Sequence, residues 1–205
     1  PTCGIYYEGR LILGGAVANR FDASSSNDIF TFSPTDEFGT VLDSSGISET
    51  LNSEDLETIL GFDADHDGLI VRTISGEWVL AASTLNDPLT PTSIQVHKVT
   101  KLGSAASEAR RVGMVLLFVQ RYGQRVIEYL SDTFSQRFTG KHINENAKHI
   151  TAPGVTELAY QEEKAPIVWT IMADGTLAGT TYRRVSHLVQ EPPLFSGAHR
   201  QAIGD

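Results

Sequence analysis

Leu69-Ile70-Val71-Arg72-Thr73-Ile74, Ser75-Gly76, Glu77-Trp78-Val79-Leu80 is the stretch whose reading decides the fold. Two runs rich in β-branched, aromatic and apolar residues flank a short break that ends in glycine, which is the pattern of a β-hairpin. The pattern recurs on both sides. Upstream, Ile5-Tyr6-Tyr7 and Arg10-Leu11-Ile12-Leu13 flank Glu8-Gly9. Downstream, Val115-Leu116-Leu117-Phe118-Val119 and Arg125-Val126-Ile127-Glu128-Tyr129 flank a turn near Tyr122-Gly123. Ile167-Val168-Trp169-Thr170-Ile171 and Thr176-Leu177-Ala178-Gly179-Thr180 flank Asp174-Gly175. A glycine closes each turn because hairpin turns that match strand twist need φ > 0, which glycine adopts without a steric cost.

The turn glycines at 9, 76, 123 and 175 stand 67, 47 and 52 residues apart. Hairpins repeating near 50 residues predict an all-β, propeller-like array of about four repeats over residues 1–190, since a blade takes about 40 to 50 residues. Four blades is the low end for a closed ring, so a partial propeller fits the expectation, and a two-sheet sandwich is the competing all-β form. An isolated hairpin is marginal in water, so the repeats must pack on one another. Between them, Asn52 or Ser53 is expected to cap a short helix through Leu60, and Ser104–Arg111 to make another helical turn. Thr139–His149 reads as a long polar loop, and residues 191–205, opening with Glu191-Pro192-Pro193, as an extended or mobile tail.

Composition narrows the classes of function. Cys3 is the single cysteine, so neither an internal disulfide nor a cysteine-built zinc site is available; it reads as a small buried hydrophobe. The longest apolar run, Met114–Val119, is of strand length, and no membrane span is expected. A net charge of −9 argues against a general grip on nucleic acid, which needs clustered Lys and Arg, although acidic walls suit a passage through which DNA must not stick. The chain opens on Pro1 rather than methionine, and a processed product or a fragment of a longer subunit is therefore expected.

The sharpest motif for chemistry is Asp63-Ala64-Asp65-His66-Asp67-Gly68. Its carboxylates at positions one, three and five and its glycine at six match the front half of a calcium loop. The back half fails, with Val71 and Ile74 where ligands are required, so an exposed acidic turn is the expectation and no metal is assigned. The six histidines, His66, His97, His142, His149, His187 and His199, lack zinc-site spacing. No Gly-x-Ser-x-Gly elbow or paired acid–base motif is present, so no catalytic residue and no cofactor are assigned, and the chain is read as not an enzyme. Arg110-Arg111 and Arg183-Arg184 read as strand-end or intersubunit ion-pairing residues; Trp78 and Trp169, in hairpin arms, read as core anchors.

From Ile47 to Tyr182 a series of pieces occurs in a recognisable order. They are Ile47-Ser48-Glu49-Thr50-Leu51, Gly76-Glu77-Trp78, Leu89-Thr90-Pro91-Thr92-Ser93, and Val115–Val119 with Gly123 and Val126-Ile127-Glu128. His149-Ile150, Gly154-Val155, Leu158-Ala159-Tyr160-Gln161, Ile167-Val168-Trp169, Asp174-Gly175-Thr176-Leu177 and Thr181-Tyr182 follow, and Arg10-Leu11 with Gly14-Gly15 precedes them. In this order they resemble the tail tubular protein B or nozzle family of short-tailed bacteriophages and related prophage structural proteins. Two details depart from that pattern: Ser186-His187-Leu188 stands where a Trp-His pair is usual, and no proline precedes Gly103-Ser104-Ala105. The resemblance implies a virion tail component made in the bacterial cytoplasm and assembled as a ring with copies of itself. Its neighbours would be adaptor or other tail proteins, and DNA would be met only in passage. The alternative expectation is a propeller that binds a receptor or carbohydrate.

Overall fold

In the computed structural model, which describes residues 1–66, 68–84, 87–132, 137–182 and 199–202, every repeat predicted from the hairpins is a four-stranded antiparallel sheet. The first holds β1 (Cys3–Tyr7), β2 (Arg10–Gly14), β3 (Arg20–Ala23) and β4 (Ile47–Thr50). The second holds β5 (Ile59–Asp65), β6 (Gly68–Thr73), β7 (Glu77–Ala82) and β8 (Ile94–Thr100). The third holds β9 (Arg110–Val112), β10 (Val115–Val119), β11 (Val126–Asp132) and β12 (Arg137–His142). The fourth holds β13 (Val155–Gln161), β14 (Ile167–Met172), β15 (Thr176–Thr181) and β16 (His199–Ala202). In all four sheets the strand order in space follows the order in the chain, so each sheet is a simple meander.

All four hairpins form, with registers Tyr7↔Arg10, Arg72↔Glu77, Val119↔Val126 and Ile171↔Leu177. At the first, Glu8 and Gly9 both take positive φ (44° and 76°), the two-residue turn whose twist suits a hairpin. Gly9 closes the first-to-second strand connection, whereas Gly76, Gly123 and Gly175 follow the second strand of their sheets. That phase difference, together with a 23-residue connection from 24 to 46 between β3 and β4, accounts for the long first interval.

Gly76 is needed for a different reason from the one the turn pattern suggests. Its φ is not in the positive range. A Cβ there would lie 2.4 Å from the Thr100 carbonyl oxygen and 2.5 Å from Lys98 Cε, so it is a close-approach glycine beneath β8. Gly175 does take positive φ (78°), with nothing within 4 Å of a notional Cβ. Gly76→Ala is therefore expected to cost about 2 kcal/mol through forced backbone movement, and Gly175→Ala about 1 kcal/mol through backbone conformation alone. Urea unfolding of the two variants measures the difference directly, and equal losses would refute it.

The chain divides into two compact units, Pro1–Ala106 with Ser131–Phe138, and Ser107–Leu130 with Thr139–Asp205. In the first, the inward faces of β2, β3, β5, β6 and β7 meet in one cluster of Ile12, Phe21, Ile59, Leu69, Val71, Trp78 and Leu80, edged by Ile5 and Tyr7. In the second, Val126 and Ile143 line a small cavity with Val168, Thr170 and Ala178, so the third and fourth sheets also face each other. Strands β6 and β10 are buried along their whole length on both faces, whereas β2 and β14 alternate.

Several expected connections differ. Residues 52–58 are irregular and lead into β5: Leu56 is 84% exposed, and Glu57 points inward instead, so no helical apolar face exists. The predicted turn over Ser104–Arg111 ends in strand β9, because Arg110 and Arg111 pair with Leu117 and Leu116. The polar segment Thr139–His149 is the end of β12 followed by a single 3-10 turn, Glu145–Ala147. That turn is the one helical element among the described residues, so the expected helical linkers are absent there. In the tail, His199–Ala202 pairs with β15, and residues 191–198 and 203–205 lie outside the described residues.

Candidate interaction surface on the β3–β4 loop

A 23-residue connection without strand or helix is long for a packed domain and usually carries function. This one is anchored by a buried arginine. Arg10, 1% exposed, rises from β2 and donates from Nη1 to the carbonyls of Ser24 (2.8 Å) and Ser45 (2.6 Å), and from Nη2 to Asp43 (2.6 Å). Its Nε donates to Leu89 O at 3.1 Å, while Leu89 N donates to the Glu8 carboxylate at 2.9 Å. A planar fork of donors can hold several carbonyls at once, which is why arginine and not lysine suits the position. Burial lowers the pKa of Arg10, with the nearby Glu8 charge opposing that shift.

Two aspartates shape the outer part of the loop. Asp28 accepts from Phe30 N (3.0 Å) and Thr31 Oγ1 (2.7 Å), and Asp36 accepts from Phe38 N (2.9 Å) and Thr40 N (2.8 Å). Such side-chain-to-backbone turns commit the polar groups locally and leave the following side chain pointing outward. Phe30 and Phe38 are 88% and 91% exposed, and Ile29, Val41 and Leu42 are exposed beside them. Residues 24–46 also carry Asp28, Asp36, Glu37 and Asp43 and no Lys, Arg or His. An apolar set this exposed on one loop makes it the candidate interaction surface of the chain. Sequence reasoning missed it; the signal available was the excess of the first glycine interval over the other two.

Because the side chains of Phe30 and Phe38 contact little, Phe30→Ser with Phe38→Ser is expected to change unfolding free energy by less than about 0.5 kcal/mol. Calorimetry checks this, and a large loss would mean that the loop packs more tightly than its exposure indicates.

The residues singled out in the sequence fall elsewhere. Asp63 and Asp65 lie on β5, in register with Ile70 and Gly68, so the segment is a hairpin arm and not a curled cation loop. Asp63 is paired with the buried Arg72 at 2.6 Å. Asp67 lies outside the described residues, among which no group of His, Cys, Asp and Glu has metal-site geometry. Arg110 spans Leu158 O (2.8 Å) and Glu108 (2.8 Å) within its own unit; Arg183 and Arg184 lie outside the described residues. Trp78 is a core anchor, 3% exposed. Trp169 is only half-buried, its ring covering Gly179 and its indole N–H donating to Gln161 at 3.2 Å, because it occupies the outer face of β14. Cys3 is half-buried on β1, and burial raises its thiol pKa. His66, His97 and His149 are exposed, and His142 is half-buried; His187 lies outside the described residues and His199 lies on β16.

Two carboxylates the sequence did not flag are fully buried in the first unit. Glu57 accepts from Lys98 Nζ (2.5 Å), Ser53 Oγ (2.5 Å), Trp78 Nε1 (3.0 Å) and the Thr73 hydroxyl. Burial alone would raise its pKa, but these donors outweigh burial and hold it at about 2. Glu77 accepts from Ser104 Oγ (2.9 Å) and the Thr100 hydroxyl, and burial pushes its pKa up. Both are 0% exposed and occupied by donors, so they serve to tie the 52–58 segment to β6, β7 and β8, and β7 to β8 and the segment after it.

Compared with known proteins, the sequence matches no family model and no curated protein.

Proposed function

We propose that this protein is a structural subunit of a bacteriophage or prophage tail, of the nozzle type, which assembles into a ring around a DNA exit conduit. The observation that carries the reading is the run of four successive four-stranded meanders, one of which bears a long, anchored loop with exposed aromatic residues. Meanders following one another at this spacing support a propeller-like array, and the burial of β6 and β10 on both faces fits strands covered on both sides of their sheets. The buried Glu57 and Glu77 have structural partners, which supports a mechanical role over an acid–base one. The ordered sequence motifs that resemble the nozzle family give the reading its virion context.

A receptor- or carbohydrate-binding module is the alternative. It gains less support, because Phe30 and Phe38 stand on a projecting loop and the cavity lined by Val126, Ile143 and Val168 is small. Light scattering with negative-stain imaging of the chain tests the assignment. Rings with an open centre are expected, and a monomer at every concentration, with glycan binding, would replace the conduit reading by the alternative.

A further inference from the structure

The two units of the chain differ sharply in charge. The first unit, Pro1–Ala106 with Ser131–Phe138, holds 16 Asp and Glu against 6 Lys and Arg, whereas the second, Ser107–Leu130 with Thr139–Asp205, holds 9 against 10. The exposed apolar loop belongs to the acidic unit and adds four of its carboxylates. Two such loops facing each other would bring like charges together, which costs affinity; an opposite-signed surface on another molecule would not.

The second unit presents such a surface at one end of its third sheet. In the turn between β10 and β11, Arg121 stacks on the ring of Tyr122 at 4.6 Å, and Tyr122 is 74% exposed. Arg125 follows, also exposed. The segment 143–152 is fastened against this turn. Asn144 Nδ2 (2.8 Å) and Thr151 Oγ1 (2.7 Å) both donate to Gln124 O, and Gln124 Nε2 donates to Ala152 O at 3.1 Å. Exposed Lys148 lies on this segment, and its charge and that of exposed Arg125 both act on His142. Burial first, and then the Arg125 and Lys148 charges, lower the pKa of His142, with Glu145 as the opposing charge. The patch thus pairs an exposed aromatic ring with a basic excess.

From this complementarity we infer that the β3–β4 loop of one copy docks, through Phe30 and Phe38, on the Arg121–Tyr122–Arg125–Lys148 patch of a second copy. Aromatic and arginine side chains are the ones that carry most binding energy at interfaces. Loop and patch are different surfaces of the same chain, so the contact is head-to-tail, the kind that propagates to a ring when its rotation closes. This inference rests on the assembly reading above and specifies its contact.

The experiment uses the full chain and two variants, Phe30→Ser with Phe38→Ser, and Arg121→Glu with Arg125→Glu, analysed by sedimentation velocity. Each variant alone is expected to associate at least about tenfold more weakly than the unaltered chain. Mixed, they are expected to form a heterodimer that grows no further, because one supplies an intact patch and the other an intact loop. Raising ionic strength from about 0.05 to about 0.5 M is expected to weaken association of the unaltered chain, since the rim is charged. Assembly that persists in the loop variant would overturn this contact while leaving the ring reading intact. Self-association of the patch variant through its loop would show a loop-to-loop contact and equally overturn it. A monomeric unaltered chain at every concentration would overturn both.

Discussion

Arg10→Leu is expected to destabilise the first unit by about 4 kcal/mol, the upper range for loss of a buried polar network. Leucine fills part of the volume but leaves the carbonyls of Ser24, Ser45, Asp43 and Leu89 without their donor. For a unit of this size that corresponds to a melting temperature roughly 20 °C lower. The effect has a local signature as well, since three of the four acceptors lie at the two ends of the 24–46 loop. Amide exchange across Ser24–Gly46 is expected to accelerate before the β2–β3 ladder opens. Arg10→Lys is expected to recover less than half the loss, because one ammonium cannot span acceptors distributed around a planar fork. Calorimetry and hydrogen exchange together decide it; an Arg10→Leu protein that melts with the unaltered chain would remove the clamp from the account of the loop.

Glu57 carries the second large effect, and it is visible in pH. Its carboxyl sits at about 2 in the fold against an ordinary value of 4.5. The stabilisation it provides is complete above pH 4.5 and is lost as pH falls from there toward 2, amounting to about 3 kcal/mol at 1.36 kcal/mol per unit. Glu57→Gln is expected to lose a similar amount at neutral pH. Lys98 Nζ and the Trp78 indole N–H can only donate, so an amide group must turn its own N–H toward one of them. The variant should also show a flatter acid limb. Glu77 behaves in the opposite sense: its raised pKa means that its contribution is complete at low pH and declines as pH rises through the folded value. Its side-chain partners are the Ser104 and Thr100 hydroxyls, which can accept as well as donate, so Glu77→Gln is expected to be neutral or mildly stabilising near pH 7. Urea unfolding at a series of pH values separates the two. If both variants responded alike, the assignment of distinct roles to these carboxylates would be wrong.

The contrast between those two glutamates shows why the candidate interaction loop and its anchor were hard to read from residues alone. Arg10, Glu57 and Glu77 look like ordinary surface charges in the sequence, each next to strand residues that alternate normally. Their partners lie at separations of up to 79 residues, and no local pattern announces a contact of that range. Helix expectations at 52–60 and 104–111 failed for the same reason. Capping residues and a short apolar spacing favour a turn of helix locally, but Glu57 gains more by pointing at Lys98 and Trp78, and Arg110 by entering a ladder with Leu117. Tertiary contacts outweigh a propensity worth only tenths of a kcal/mol per residue.

By itself, the sequence determined the strands and turns whose signals are local. β-branched and apolar arms and turn glycines are set by neighbours two to four residues apart, so four hairpins could be placed near Gly9, Gly76, Gly123 and Gly175, while their registers, such as Arg72↔Glu77 across a turn that takes in Thr73–Gly76, came from the structure. Only the tertiary structure decided that each hairpin belongs to a separate four-stranded meander. It also decided that Gly76 is required by the approach of β8, and that an arginine in the core holds out an acidic loop tipped with Phe30 and Phe38. The reason is physical: burial and long-range hydrogen bonding depend on which surfaces meet, and that is a property of the packed chain.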